Sequence, residues 1–192
     1  MTKAELYKEL SYVNHSREKR LKYANLVIDN PELVVPLLEI LFDVDDKISC
    51  RAAWVLEFMC SEKLEEIIPH LNTFTKNIHK VHLDSAVRPV AKVCEYLIYA
   101  NYSKTDNIIK SHLSANHKEK ITEACFDWMI SDQKVAPKAY AMTSLYLLGL
   151  EYDWIHPELV LILERDFKMQ SAAFKARARQ ILKKIEKGKK AK

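Results

Sequence analysis

The stretch Pro31-Glu32-Leu33-Val34-Val35-Pro36-Leu37-Leu38-Glu39-Ile40-Leu41-Phe42 runs through Asp43-Val44-Asp45-Asp46 into a second apolar-periodic segment, Lys47 to Cys60. It reads as two helices joined by a tight aspartate turn. Pro31 suits a first helical position, where a missing amide costs nothing, and Asn30 is expected to cap that helix. The aspartates stop the first helix and cap the second. There Ile48, Ala52, Val55, Leu56 and Met59 fall on one face, and Ala52 with Ala53 allows close helix approach. The unit is an antiparallel helix pair.

The unit recurs along the chain, which decides the fold more firmly than any single helix could. Leu64 to His79 matches the first helix, with Pro69-His70-Leu71 standing where Pro36-Leu37-Leu38 stood, and Asp84 to Tyr99 matches the second. Arg51 and Arg88 are 37 positions apart, as are Lys138 and Lys175, and Arg88, Lys138 and Lys175 each have alanine three residues later. Pro157-Glu158-Leu159-Val160 repeats the Pro31 to Val34 tetrad and opens a pair formed by Pro157 to Phe167 and Ser171 to Glu186. A weaker pair, Lys3 to Tyr12 and Ser16 to Ile28, reads as an end unit that packs on one neighbour only. Between Arg88 and Lys138 the interval is 50, and the excess falls in the polar stretch 101–117. That insertion is expected to be an ordered loop, with Ile108, Ile109 and Leu113 on one short turn capped by Asp106. The reading is one all-α repeat domain over 1–182, about five antiparallel helix pairs, followed by a basic tail, 183–192.

Composition narrows the function classes. Gly149 and Gly188 are the only glycines in 192 residues, so a glycine-lined phosphate cradle of the Rossmann or P-loop kind is excluded. The net charge is +4, yet the last ten residues hold six lysines and one glutamate, which leaves the preceding 182 near −1. A nearly neutral body argues against a broad face for nucleic acid, because counterion release needs several cations aimed at phosphates. The lysine tail suits the negative end of a helix dipole. Cys50, Cys60, Cys94 and Cys125 show no CxxC pairing, and the charged, helical start lacks an apolar leader. Reduced thiols and a cytoplasmic protein are therefore expected, with no membrane span.

Pro36-Leu37-Leu38, Leu41, Asp43, Ile48, Ala52 and Leu56 resemble the HEAT repeat pattern. That resemblance implies a right-handed α-α superhelix of stacked helix pairs, in which second helices line a concave groove. The chain also resembles a small bacterial group of similar length that often carries the name adenylosuccinate lyase. The serine loop of true lyases, Ser-Ser-x-Met-Pro-x-Lys-x-Asn preceded by glycine, has no counterpart here, so the name is not supported by chemistry.

Candidate chemistry is sparse. His79 and His82 could share a zinc only with Asp84 as third ligand on a continuous helix, and no HExxH, GxSxG or Cys-His spacing occurs. No cofactor or metal site is expected. Trp128 and Asp132, four apart, could share a helix face, as the tryptophan and aspartate of HEAT-like alkylpurine DNA glycosylases share a concave surface. The alternative is packing for Trp54 and Trp128, a Ser131-Asp132 cap, and a staple role for Trp154. The basic column Arg51, Arg88, Lys138 and Lys175 has two open uses. It could hydrogen-bond the aspartate turns at Asp45 or Asp46, Asp84 and Asp132, or it could face the groove and anchor an acidic peptide or phosphate. The expected function is a non-enzymatic scaffold that binds a protein partner through its concave face, with nucleic-acid binding as the competing class.

Overall fold

A computed structural model describes residues 1–190. Among these residues there are eleven α-helices and no strand. In chain order they are α1 (Lys3–Leu10), α2 (Arg17–Asp29), α3 (Val34–Leu41), α4 (Lys47–Glu62), α5 (Leu71–Asn77), α6 (Asp84–Tyr102), α7 (Ile109–His112), α8 (Ala115–Ile130), α9 (Val135–Leu148), α10 (Ile155–Asp166) and α11 (Ala172–Lys190). Short 3-10 segments, Pro31–Leu33, Leu64–His70 and Ile78–Lys80, extend α3 and α5. No helix among the described residues is long and apolar enough to cross a membrane.

Proline explains why two first helices, α3 and α5, open as 3-10 segments. Pro31 opens a 3-10 turn, and Pro36 falls in the first turn of α3, where its missing amide has no intrahelical acceptor to lose. Pro69 lies deeper, so its helix stays 3-10 until α5 restarts at Leu71. Among second helices, Pro89 lies inside α6 and Pro137 in the first turn of α9, and both helices run on unbroken. Asp46 caps α4, its Oδ1 accepting from the Ile48 amide at 2.8 Å, while the Tyr7 hydroxyl donates to Oδ2 at 2.7 Å. Asn30 does not cap the following segment. Its side-chain amide donates back to the Leu26 carbonyl at 2.8 Å and closes α2 instead.

The helices form two layers in an all-α, HEAT-like solenoid of five pairs. Second helices pack successively, α2 on α4, α4 on α6, α6 on α9 and α9 on α11. Their starts keep the expected interval, Lys47 to Asp84 and Val135 to Ala172. In the other layer α1 packs on α3, α3 on the segment before α5, and α5 on α8. Ala52, Val55, Leu56 and Met59 of α4 lie wholly inside the seam. Cys60, Cys94 and Cys125 are buried free thiols there; burial pushes all three up, Cys125 to about 12.

The insertion is shorter and more structured than its polarity suggests, because α6 runs to Tyr102 and α8 already begins at Ala115. Its one turn, α7, buries Ile109 and Leu113, whereas Ile108 is exposed. Asn107, not Asp106, organises the turn. Its Oδ1 accepts from the Ile109 amide at 3.1 Å, and its Nδ2 donates to the Ala100 carbonyl at 2.9 Å. At the other end α11 continues unbroken past residue 183 and buries Ile185, so the start of the lysine-rich segment belongs to the last pair. Ala191 and Lys192 lie outside the described residues.

Candidate functional site on the second-helix face

Every junction between successive second helices carries a cation from one helix set against a ring or carboxylate of the next. Arg20 of α2 lies 5.2 Å from the Trp54 ring and 5.5 Å from Phe58, both on α4. From α6, Arg88 reaches Glu57 of α4 with both arms of its fork, at 3.0 and 2.6 Å. Lys92 of α6 stands 4.6 Å over Tyr140 of α9 and also donates to Glu95 at 2.6 Å. Lys184 of α11 stands 5.3 Å over Tyr146 of α9. Single cation–ring contacts contribute about 0.5–1 kcal/mol at exposed sites. The Arg88 pair matters more, because Glu57 is only 7% exposed and a lone carboxylate there would be costly.

The basic column does not act as one set: Arg88 lines a hollow on the second-helix face, bound to Glu57, while Arg51, Lys138 and Lys175 sit elsewhere. Arg51 donates to the Leu10 and Ser11 carbonyls at the end of α1, where the helix dipole is negative. Of the aspartates expected to receive the column, Asp84 pairs with Lys134 at 3.0 Å and Asp45 meets His82 at 3.3 Å. Lys138 is buried in α9 and its charge acts on Asp166; Lys175 is half-buried on α11. Stagger is the reason. Touching residues on α4 and α6 are 31 apart, as in Trp54–Ser85 and Glu57–Arg88, so residues spaced by the full repeat are not the ones that meet.

Trp128 and Asp132 do not form a shared face. Trp128 is 4% exposed within α8, a first helix, while Asp132 lies exposed in a bend beyond that helix's end at Ile130. A buried indole cannot stack on a flipped base. Asp132 is not a cap either, since the residue before α9 is Lys134 and no side chain caps that helix. Trp154, expected as a staple, is exposed and stacks on Phe126 with ring centres 5.6 Å apart.

What the fold does assemble is a hollow of about 400 Å³ where α2, α4, α6 and the start of α9 meet. Arg20, Arg88 and Lys134 line it with His15, and among the described residues Asp84 is the one carboxylate in its wall. Trp54 forms a rigid side: its Nε1 donates to the Ser85 carbonyl at 2.8 Å, and the His15 ring lies 4.9 Å away. Arg20 is held in place by the Asn14 and His15 carbonyls. Burial lowers the Arg20 guanidinium pKa, and the neighbouring Arg88 charge lowers it further. For Arg88, burial pulls down but Glu57 overrides it, and the net shift is upward. Glu57 balances Arg88 and Asp84 balances Lys134, which leaves Arg20, held by carbonyls and rings, as the cation of the hollow without a carboxylate partner among the described residues. Arg20, His15 and Lys134 carry no periodic mark, coming from the terminal pair and from the α8–α9 link, and only Arg88 of the expected residues takes part.

A family model for the HEAT repeat domain matches residues 6–185 of the chain. No curated protein and no solved structure matches it.

Proposed function

We propose, on the premise that the chain belongs to the HEAT repeat domain family, that it is a non-enzymatic scaffold whose second-helix face docks a protein partner. In this reading the Arg20–Trp54–Arg88–Lys134 hollow receives an acidic side chain of that partner. The observation that carries it is Arg20, a guanidinium without a carboxylate partner among the described residues, set beside one rigid indole wall and paired cations. A carboxylate entering there gives Arg20 the charged partner that Glu57 already gives Arg88, and so offsets the Arg88 charge that acts on it. Four free cysteines support a reducing compartment such as the cytoplasm for such a scaffold.

The test is anisotropy of a labelled peptide of alternating glutamate and glycine, titrated at low salt. The double variant Arg20→Gln/Lys134→Gln should weaken binding at least tenfold while circular dichroism stays unchanged. Equal affinity in the variant, or no binding by the parent protein, would overturn the reading. Mobility shift of duplex DNA with a steep salt dependence would instead move the chain to the nucleic-acid class.

A further inference from the structure

The first-helix layer is continuous from α1 to α8 and then breaks, since α8 and α10 barely touch and both lean on α9. A hollow of about 600 Å³ opens at the break. One wall is the face of α8 that carries Glu119, Glu123 and Asp127 at four-residue spacing, all three exposed. The floor is aromatic, formed by Phe126, Tyr152 and Trp154. Among the described residues no lysine or arginine lines it. The adjacent Lys118 is engaged by Glu151 at 2.7 and 2.8 Å. Trp154 is 56% exposed, and its ring is set nearly parallel to Phe126, with 24° between the planes.

We infer that this hollow is a docking site for an arginine-bearing, basic segment of a partner protein. A guanidinium is planar, weakly hydrated and suited both to lie on an indole face and to donate from its edge to carboxylates. The wall supplies carboxylates in a row, and the floor supplies an indole with an open face. Charge complementarity selects the occupant: an acidic or neutral apolar segment would meet three uncompensated carboxylates. The site lies in the opposite layer from the cationic hollow and is opposite in charge. A scaffold carrying both would join a basic partner on one face to an acidic one on the other.

The experiment uses the full chain and a labelled peptide of alternating arginine and glycine at low ionic strength. Its readouts are peptide anisotropy and tryptophan emission. Emission is informative because Trp54 and Trp128 are 9% and 4% exposed, so a binding-induced change arises mainly from Trp154. Trp154→Ala and the double variant Glu123→Gln/Asp127→Asn should each weaken binding at least tenfold, and Trp154→Phe should lose less than Trp154→Ala. Arg20→Gln/Lys134→Gln should leave this binding unchanged, which separates the result from that of the cationic hollow. Unaltered affinity in the hollow variants, equal binding of the glutamate–glycine peptide, or no binding by the parent protein would overturn the inference. So would concentration-dependent dimerisation abolished by the same substitutions, which would place a second copy's lysines in the hollow.

Discussion

At the scale of single residues, two buried polar groups depend on particular partners. Glu57 is nearly buried and Arg88 satisfies both of its oxygens, so Arg88→Ala leaves an uncompensated carboxylate. The expected loss is about 2–3 kcal/mol by chemical denaturation, below the full cost of breaking a buried pair because the Arg88 side chain keeps 32% of its surface in water. Adding Glu57→Gln to Arg88→Ala should restore much of that loss; an additive double variant would show that the pair is uncoupled. His117 is the second case. Its Nδ1 accepts from the Ser114 amide at 3.2 Å and its Nε2 donates to Asn72 Oδ1 at 2.8 Å, a network that fits the neutral ring. Burial, with help from Lys120, lowers its pKa below the ordinary 6.5, although the His112 backbone pulls the other way. The unfolded chain therefore takes up this proton first. Stability from the neutral ring is complete above about pH 6.5 and is lost as the pH falls from there towards the lower folded value. His70, lowered by burial, adds to the same trend. His117→Gln keeps a glutamine in the capping box and removes the titration, so its melting temperature should drop less than the parent's between pH 7.5 and 5. Parallel curves would refute the assignment.

At the scale of elements, the connection from α9 to α10 turns on Gly149. Its backbone is ordinary helical, so left-handed freedom is not the reason for glycine there. Space is the reason. A Cβ would stand 2.1 Å from the His156 ring, whose Nε2 donates to the Tyr146 carbonyl at 2.8 Å and whose face stacks on Tyr146. Gly149→Ala should displace that ring and break its bond at a cost of about 1–2 kcal/mol. The same change in a His156→Ala background should be close to neutral, and a full cost there would place the strain elsewhere. The helix pairs themselves were legible because a buried stripe and an aspartate or serine cap leave local marks. The expected starts at Lys47 and Asp84 agree with α4 and α6. What local marks could not show was where a side chain would spend its hydrogen bonds. Asn30 and Asp106 looked like forward caps, but Asn30 turns back to α2, and Asn107 takes the role expected of its neighbour.

At the scale of the whole molecule, periodicity reveals the stack but not the stagger between its layers. The cationic hollow draws on residues from His15 to Pro137, and its members meet through a 31-residue offset that the 37-residue repeat conceals. Trp54 was legible as a packing residue, yet its neighbours Arg20 and Lys134 were not, since exposed loops and end units carry no stripe. The stack also fixes how stability is distributed. In a quasi-one-dimensional array each pair leans only on its neighbours, so elements flanked on both sides are held best. Second helices α4, α6 and α9 each pack between two others, whereas α11 packs on α9 alone within that layer and α10 has lost its neighbour α8. Native-state hydrogen exchange in low denaturant should therefore find the slowest amides in α4, α6 and α9, opening only with global unfolding. Amides of α10 and α11 should exchange earlier and together, as one subglobal unit. Filling the break should bind that unit to the rest, so saturating arginine peptide should slow exchange in α10 while leaving α4 unchanged. Uniform protection along all five pairs, before or after the peptide, would contradict both the broken layer and its occupancy.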